Sequence, residues 1–291
     1  MPNSAPFTYD PQRSFDVRTQ DVEFRSDEQV SLAATIYQPQ GIGPFPAMVE
    51  VHGGAWNRGT RANNELMDRA LAASGIVVAA IDFRLAPEHP YPAQITDFNY
   101  AVRWLKAKAH EFNADPGSVG ALGSSSGGHT VMMGAMRPDD PRYAVLPLPG
   151  EPDIDAKVLY IVAAWPVLDP YARYLYARES GHDRLAASSE AYFLTEDAMR
   201  EGNPQHVLER GEQVQLPPAL IVQGTNDDNV PSSIPQRFVE AYRGAGGEVD
   251  LEMFPGMPHG FANTPGPESE RALGLMKLFI ARRLAAVLAA A

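Results

Sequence analysis

The sequence predicts an α/β fold, a mostly parallel and doubly wound sheet with a cap insertion. Two observations carry that reading. Largely apolar runs at residues 47–51, 76–81, 119–122, 158–164 and 219–222 have the character of strands buried on both faces. Helical patterns separate them: Phe98, Val102, Leu105, Ala109 and Phe112 recur at three-and-four spacing, with Thr96 placed before them as a cap. Leu273, Met276, Ile280, Leu284 and Val287 repeat the pattern near the C-terminus. Strands alternating with helices imply right-handed crossovers in a single sheet.

The remaining elements follow in chain order. Alternation in DVRTQDVEFR (16–25) and in 31–37 predicts an opening antiparallel pair, and GIGPFP (41–46) is turn chemistry. The run 47–51 is broken only by Glu50, and EVDLEMF (248–254) supplies the last strand pattern. Between Trp165 and Pro217 lie about fifty residues, far more than a strand-to-helix connection needs. That stretch carries Tyr171, Tyr174, Tyr176, Tyr192 and Phe193 and is expected to form a cap over about 166–216. With no repeat and no shift in composition, one domain over 1–291 is expected.

Composition removes several function classes. Acidic residues number 36 against 24 basic ones, a formal charge of −12, and no run of about five Lys/Arg offsets it, so nucleic acid is excluded as a partner. There are no cysteines, hence no thiolate nucleophile, disulfide or Cys-type zinc site. MPNSAPFTYDPQRSFDVR lacks a basic region followed by an apolar run, and no apolar stretch reaches the ~18 residues of a membrane span. A cytoplasmic protein without a membrane partner is expected.

The segment GALGSSSGGHT (120–130) holds three consecutive serines, of which Ser125 alone has glycine at both −2 and +2. Gly123-Ser124-Ser125-Ser126-Gly127 is G-x-S-x-G, the pattern of a nucleophile on a strained strand-to-helix turn whose flanking backbone tolerates no side chain. The following helix start has unpaired N–H groups, and that of Ser126 would face an oxyanion. A serine nucleophile needs a base, and the base an orienting carboxylate. Of the seven histidines only His259, in Met257-Pro258-His259-Gly260-Phe261, follows the acid loop Gly224-Thr225-Asn226-Asp227-Asp228-Asn229. Asp227, first after the turn, is favoured over Asp228. His52-Gly53-Gly54-Ala55-Trp56 follows a core strand and has the small residues of an oxyanion loop, with His52 as scaffold rather than catalyst.

Together these motifs resemble the α/β-hydrolase fold, and within it the hormone-sensitive-lipase-like and acetyl/feruloyl-esterase-like carboxylesterases. HGGAW resembles their HGGG loop, and DFRLAPEHPYPA (82–93) is similar to their D-Y-R-L-A-P-E-H-P-F-P-A stretch. Ala55 replaces the third glycine of that loop, and Ser124 stands where the lipase-like branch has an acid. The loop pattern, Ala55 followed by Trp56, is closer to the acetyl/feruloyl-esterase-like and kynurenine-formamidase-like branches. The resemblance implies an oxyanion hole from the N–H groups of Gly54, Ala55 and Ser126, attack by Ser125, and proton transfer by His259 held by Asp227. FRLAPEHPYP would be structural.

The expected function is a serine carboxylesterase acting on a small-molecule ester through an acyl-enzyme. An amidase or formamidase with the same triad, and an inactive binding protein on this fold, are the alternatives. No cofactor or metal is expected: H-E-x-x-H is absent, and NDDN lacks the glycine and distal glutamate of a calcium loop. Oligomeric state stays open, a homodimer included. Trp56 and Trp165, at the carboxyl edge of the sheet, are expected to wall a pocket suited to acyl chains of about two to six carbons. Ser124→Ala and Ser126→Ala are expected to keep much of the turnover.

Overall fold

Strand β1 (Val17–Ser26) pairs antiparallel with β2 (Ser31–Pro39), Val17 facing Pro39 and Ser26 facing Ser31, as the alternation predicts. β2 then pairs antiparallel with β4 (Val77–Ile81). From there the sheet is parallel: β4 joins β3 (Ala47–Val51), followed by β5 (Gly120–Ser124), β6 (Ile161–Ala164), β7 (Ala219–Gly224) and β8 (Val249–Phe254). The strand order is β1-β2-β4-β3-β5-β6-β7-β8. This computed structural model describes residues 7, 9–27 and 30–290. Part of the N-terminal leader reading therefore falls outside the described residues, and among these no helix is long and apolar enough to cross a membrane.

Helices cover both faces. On one side α2 (Ala93–Lys108), α3 (Ser126–Met136) and α8 (Ser233–Gly244) bury Val49, Val51, Ala79, Ala121 and Ile221. On the other, α1 (Glu65–Ala73) and α9 (Pro267–Ala290) bury Met48, Val78, Ala80, Leu122 and Val222. Successive residues of each strand thus alternate between two cores, which is why the strands read as continuous apolar runs. By that alternation Glu50 points to the α1/α9 side, where it is fully buried.

Two local expectations are corrected. Thr96 is not a helix cap: α2 begins at Ala93 after Pro92, and the Thr96 hydroxyl, inside the first turn, lies within hydrogen-bond distance of the Pro92 and Arg142 carbonyls. Pro92 stands at the N-cap position, and its carbonyl accepts the first helical bond from the Thr96 amide at 3.1 Å. The same helix stops before Ala109 and Phe112, which are buried on a 3₁₀ turn closed by left-handed Asn113. The apolar run 158–164 is strand only from Ile161.

Between β6 and β7 the chain forms α4 (Pro170–Glu179), α5 (Asp183–Phe193), α6 (Glu196–Glu201) and α7 (Pro204–Glu209). Three of the four start on side-chain caps: Asp169, Thr195 and Asn203 accept the N–H groups of Ala172, Ala198 and His206, whereas α5 follows His182 without one. Their buried residues Tyr174, Ala177, Ala186, Tyr192, Phe193 and Met199 form a third apolar cluster around Trp56.

Candidate active site

The carboxyl ends of β3, β5, β7 and β8 face one cleft, the position where ligands bind open parallel sheets. Ser125 sits between β5 and α3 with φ 52° and ψ −118°, a conformation L-residues rarely adopt. Its amide is held by the Ala164 carbonyl at 2.9 Å, and its own carbonyl accepts from Val167 at 3.0 Å. The glycine at +2 has a concrete cause: a Cβ on Gly127 would stand 2.0 Å from the Val51 carbonyl oxygen. Gly127→Ala is therefore expected to cost several kcal/mol, a large value for one methyl group, and to cut turnover with it. Thermal melting beside an initial-rate assay checks both.

A continuous hydrogen-bonded chain runs from the serine. Ser125 Oγ lies 2.9 Å from His259 Nε2, and His259 Nδ1 lies 2.7 Å from Asp227 Oδ2. Asp227 is itself fixed: Oδ1 accepts from the amides of Asn229 at 2.9 Å and Val230 at 2.8 Å, and Oδ2 accepts from Gln223 Nε2 at 2.9 Å. Burial works to raise its pKa. The His259 hydrogen bond and charge, with the Val230 and Asn229 amides, outweigh it and hold the carboxyl below its ordinary value. Asp228 is exposed, and only its carbonyl is used, accepting from the Tyr176 hydroxyl.

Opposite the serine, Gly54, Ala55 and Trp56 have φ of 122°, 50° and 62°. Neighbouring amides are taken: Gly53 N–H donates to Ser124 Oγ at 3.0 Å and Trp56 N–H to Ser126 Oγ at 3.2 Å. Among the described residues the N–H groups of Gly54 and Ala55 have no acceptor. Ser126 N–H, at the first position of α3, has none within the helix. Gly54 and Ala55, whose amides are thus left free, line the same cleft as Ser125. His52 is held beside this loop, its Nδ1 on the Gly53 carbonyl at 2.6 Å and its ring stacked on Phe83.

His129, in the elbow itself, is excluded as a base. Its Nε2 donates to the Gly202 carbonyl at 2.7 Å and its Nδ1 accepts from Trp56 Nε1 at 3.2 Å, so both nitrogens are used. Burial pushes its pKa down to about 4, only partly opposed by the Gly202 carbonyl, so the ring stays neutral.

The cleft has a volume of about 160 Å³, and Gly54, Ala55, Asn64, Ser125, Trp165 and His259 are among its lining. Trp165 borders the cleft, its ring edge-on to His259 at 6.3 Å. Trp56 does not, and its expected role as a pocket wall is corrected. Its ring turns away from the cleft, is fully buried, stacks on Tyr192 at 5.1 Å and lies under Arg173. The positive φ of the oxyanion loop directs the side chain into the helical insertion. A larger depression, about 530 Å³ between Met136–Pro141 and Glu212–Gln215, contains none of these groups.

Arg173 is a contact to the acid loop that sequence reasoning missed. Fully buried in α4, it donates from Nε and Nη2 to Asn229 Oδ1 at 3.2 and 2.8 Å, so it anchors the acid loop from the insertion. Asn57 Nδ2 meets Ser188 Oγ at 3.0 Å and ties the oxyanion loop to the same insertion. In the FRLAPEHPYP segment Arg84 pairs with buried Asp97, and the Ala86 amide donates to the Trp56 carbonyl.

The sequence profile of the BD-FAE family matches residues 35–242, most of the chain. The chain belongs to the BD-FAE family. This BD-FAE member is 29% identical over 248 residues to the esterase LipC of Mycobacterium tuberculosis, covering 81% of this chain and 58% of that protein. It is 28% identical over 261 residues to the carboxylesterase NlhH of the same organism, covering 81% and 73%. It spans only 46% of LipM, a probable carboxylic ester hydrolase of that organism. Among solved structures, Thermogutta terrifontis esterase 2 phosphoramylated by tabun superposes with a TM-score of 0.72 at 26% identity, over 91% of this chain and 94% of that one. The BD-FAE member therefore has the α/β-hydrolase fold.

Proposed function

We propose that this protein is a serine carboxylesterase for small, short-acyl esters, working through an acyl-enzyme on Ser125. The observation that carries the reading is the chain Ser125–His259–Asp227, set across the cleft from the free amides of Gly54 and Ala55. Ser125 Oγ attacks the acyl carbon and its proton passes to His259 Nε2. The carbonyl oxygen, now anionic, accepts from the amides of Gly54, Ala55 and Ser126. As the tetrahedral adduct collapses, His259 returns the proton to the departing alkoxide. Water then repeats the sequence, giving its proton to His259 and releasing the carboxylic acid. The whole chain is read as one domain, with 166–216 as a cap that braces the oxyanion and acid loops.

Relatives named as esterases support the ester class. That a structurally similar esterase takes an organophosphate makes a fluorophosphonate probe the direct test. Covalent labelling of wild type, lost in Ser125→Ala, is expected. Paired aryl-ester and anilide substrates separate an esterase from an amidase, and the ester is expected to react faster.

The small cleft supports short chains, and the same esterase 2 has been seen with propionate and with butyrate. In a p-nitrophenyl series from acetate to palmitate, kcat/KM is expected to peak at or below about six carbons. Trp165→Ala should move the peak toward longer chains, because this ring borders the cleft. Trp56→Ala should leave the profile alone and cost about 3–5 kcal/mol of stability. A wild-type optimum at palmitate would refute the short-acyl assignment.

A further inference from the structure

Directly beneath the oxyanion loop lies a polar cluster that the reaction above does not use. Glu50, in the centre of the sheet between Ala80 of β4 and Leu122 of β5, is fully buried, as are Asp68 of α1 and, nearly so, Asn64. Among the described residues no cation lies within 4.0 Å of either carboxyl group. Asn64 Nδ2 donates to Glu50 Oε1 at 2.6 Å and to Ser124 Oγ at 2.8 Å, and Ser124 Oγ also accepts the Gly53 amide at 3.0 Å. Glu50 Oε2, Asn64 Oδ1 and both Asp68 oxygens have no partner. All four are acceptors.

Two ionised carboxylates, both fully buried with Asn64 Nδ2 as the one donor on Glu50 and none on Asp68 among the described residues, would be unstable by many kcal/mol. A proton on each turns two of the acceptors into donors and removes both charges. We propose that Glu50 and Asp68 form a buried, charge-neutral carboxyl pair that positions the oxyanion loop through Asn64, Ser124 and the amide of Gly53. These are positioning residues; none touches the reacting atoms. Asn64 and Ser124 line the cleft beside Ser125, and Gly53 immediately precedes the two free amides, so a shift in this chain moves the oxyanion donors. The proposal rests on the esterase reading of the same site.

Titration agrees in direction. Burial pushes Glu50 up to about 8, with the Asn64 hydrogen bond only partly opposing it. Burial also raises Asp68 well above the carboxylate range, helped by the charges of Glu50 and Glu65. The other groups facing the pair are the Tyr37 hydroxyl on β2 and the exposed Glu65–Arg69 ion pair on α1. Because the folded state keeps a proton on Glu50 that the unfolded chain loses near its ordinary 4.5, stability must fall as pH rises from there to about 8.

The experiment compares wild type, Glu50→Gln, Asn64→Leu and Ser124→Ala in p-nitrophenyl acetate turnover, fluorophosphonate labelling and thermal melting from pH 5 to 9. Glutamine mimics the protonated acid. Glu50→Gln should keep kcat within about threefold at pH 7, and its melting temperature should gain on wild type steadily from pH 5 to 8. Asn64→Leu breaks the link and should lower kcat about tenfold to a hundredfold with KM nearly unchanged, as loss of oxyanion alignment does. Should Asn64→Leu not fold, Ser124→Ala tests the same link. It strips the Gly53 amide of its acceptor and should lose about tenfold, more than the sequence alone led one to expect. A Glu50→Gln loss as deep as that of Asn64→Leu, or a melting difference flat with pH, overturns the neutral pair. Unchanged kcat in folded Asn64→Leu or Ser124→Ala overturns the positioning role. Wild type that takes no label sinks the esterase reading and this role with it, whereas labelled wild type isolates a failure to the pair.

Discussion

Ser125→Ala is expected to lower kcat by about 10⁴–10⁶ while leaving the melting temperature close to that of wild type. The magnitude follows from the wiring. Among the described residues Ser125 Oγ is the partner of His259 Nε2, and in the proposed mechanism triad members work as a unit, so removing the nucleophile forfeits the contribution of the other two. Stability should hold because among the described residues the Ser125 side chain has no partner beyond His259, and its strained backbone, φ 52°, is no more costly for alanine than for serine. The elbow is kept by other contacts, chiefly the Ser125 amide on the Ala164 carbonyl and the close approach of Gly127 to Val51. Ser126→Ala is the matched control. It keeps the backbone N–H and loses only the hydroxyl that accepts from Trp56, so it should fall by far less. The check is steady-state kinetics with probe labelling on both variants. Near-wild-type hydrolysis by Ser125→Ala would end the assignment.

The parts of the site that were legible in the sequence are those dictated by local sterics or by chain order. Gly127 is legible because no side chain fits between the elbow and Val51. His259 is legible because one histidine alone follows the acid loop. The buried parallel strands were legible from runs such as 219–222, whose residues are apolar toward both cores. What escaped depends on where a backbone turn aims a side chain. Trp56 is adjacent to the oxyanion amides in sequence, yet its φ of 62° sends the ring into the insertion and away from substrate. Arg173 looks like any surface arginine of a polar helix until its guanidinium is found on Asn229. Glu50 left a trace, an acid interrupting an apolar strand, but its meaning required Asp68 and Asn64 from a helix packed across the sheet face.

Asp227→Asn is expected to cost about 10³–10⁴ in kcat, far more than Asp228→Asn, and the hydrogen bonds give the reason. Asp227 Oδ1 accepts two backbone N–H groups, from Asn229 and Val230, so in the asparagine variant the amide oxygen must occupy that position. The new NH₂ then stands in place of Oδ2, where both His259 Nδ1 and Gln223 Nε2 now point. A donor facing His259 Nδ1 favours the imidazole tautomer with its hydrogen on Nε2. That hydrogen points at Ser125 Oγ, so the ring cannot take the serine proton. Wild type avoids this because its Asp227, held below its ordinary 3.8, stays anionic throughout the neutral range. Asp228→Asn changes an exposed side chain whose carbonyl, the part bonded to Tyr176, is untouched; an effect within about 1 kcal/mol on stability and a near-normal kcat are expected. Measuring kcat for both variants between pH 6 and 9 separates them. If the asparagine at 227 fixes the wrong tautomer, raising pH should restore part of the activity, since hydroxide can then assist the attack directly. Equal losses at 227 and 228, or a deeper one at 228, would show that a different carboxylate orients His259.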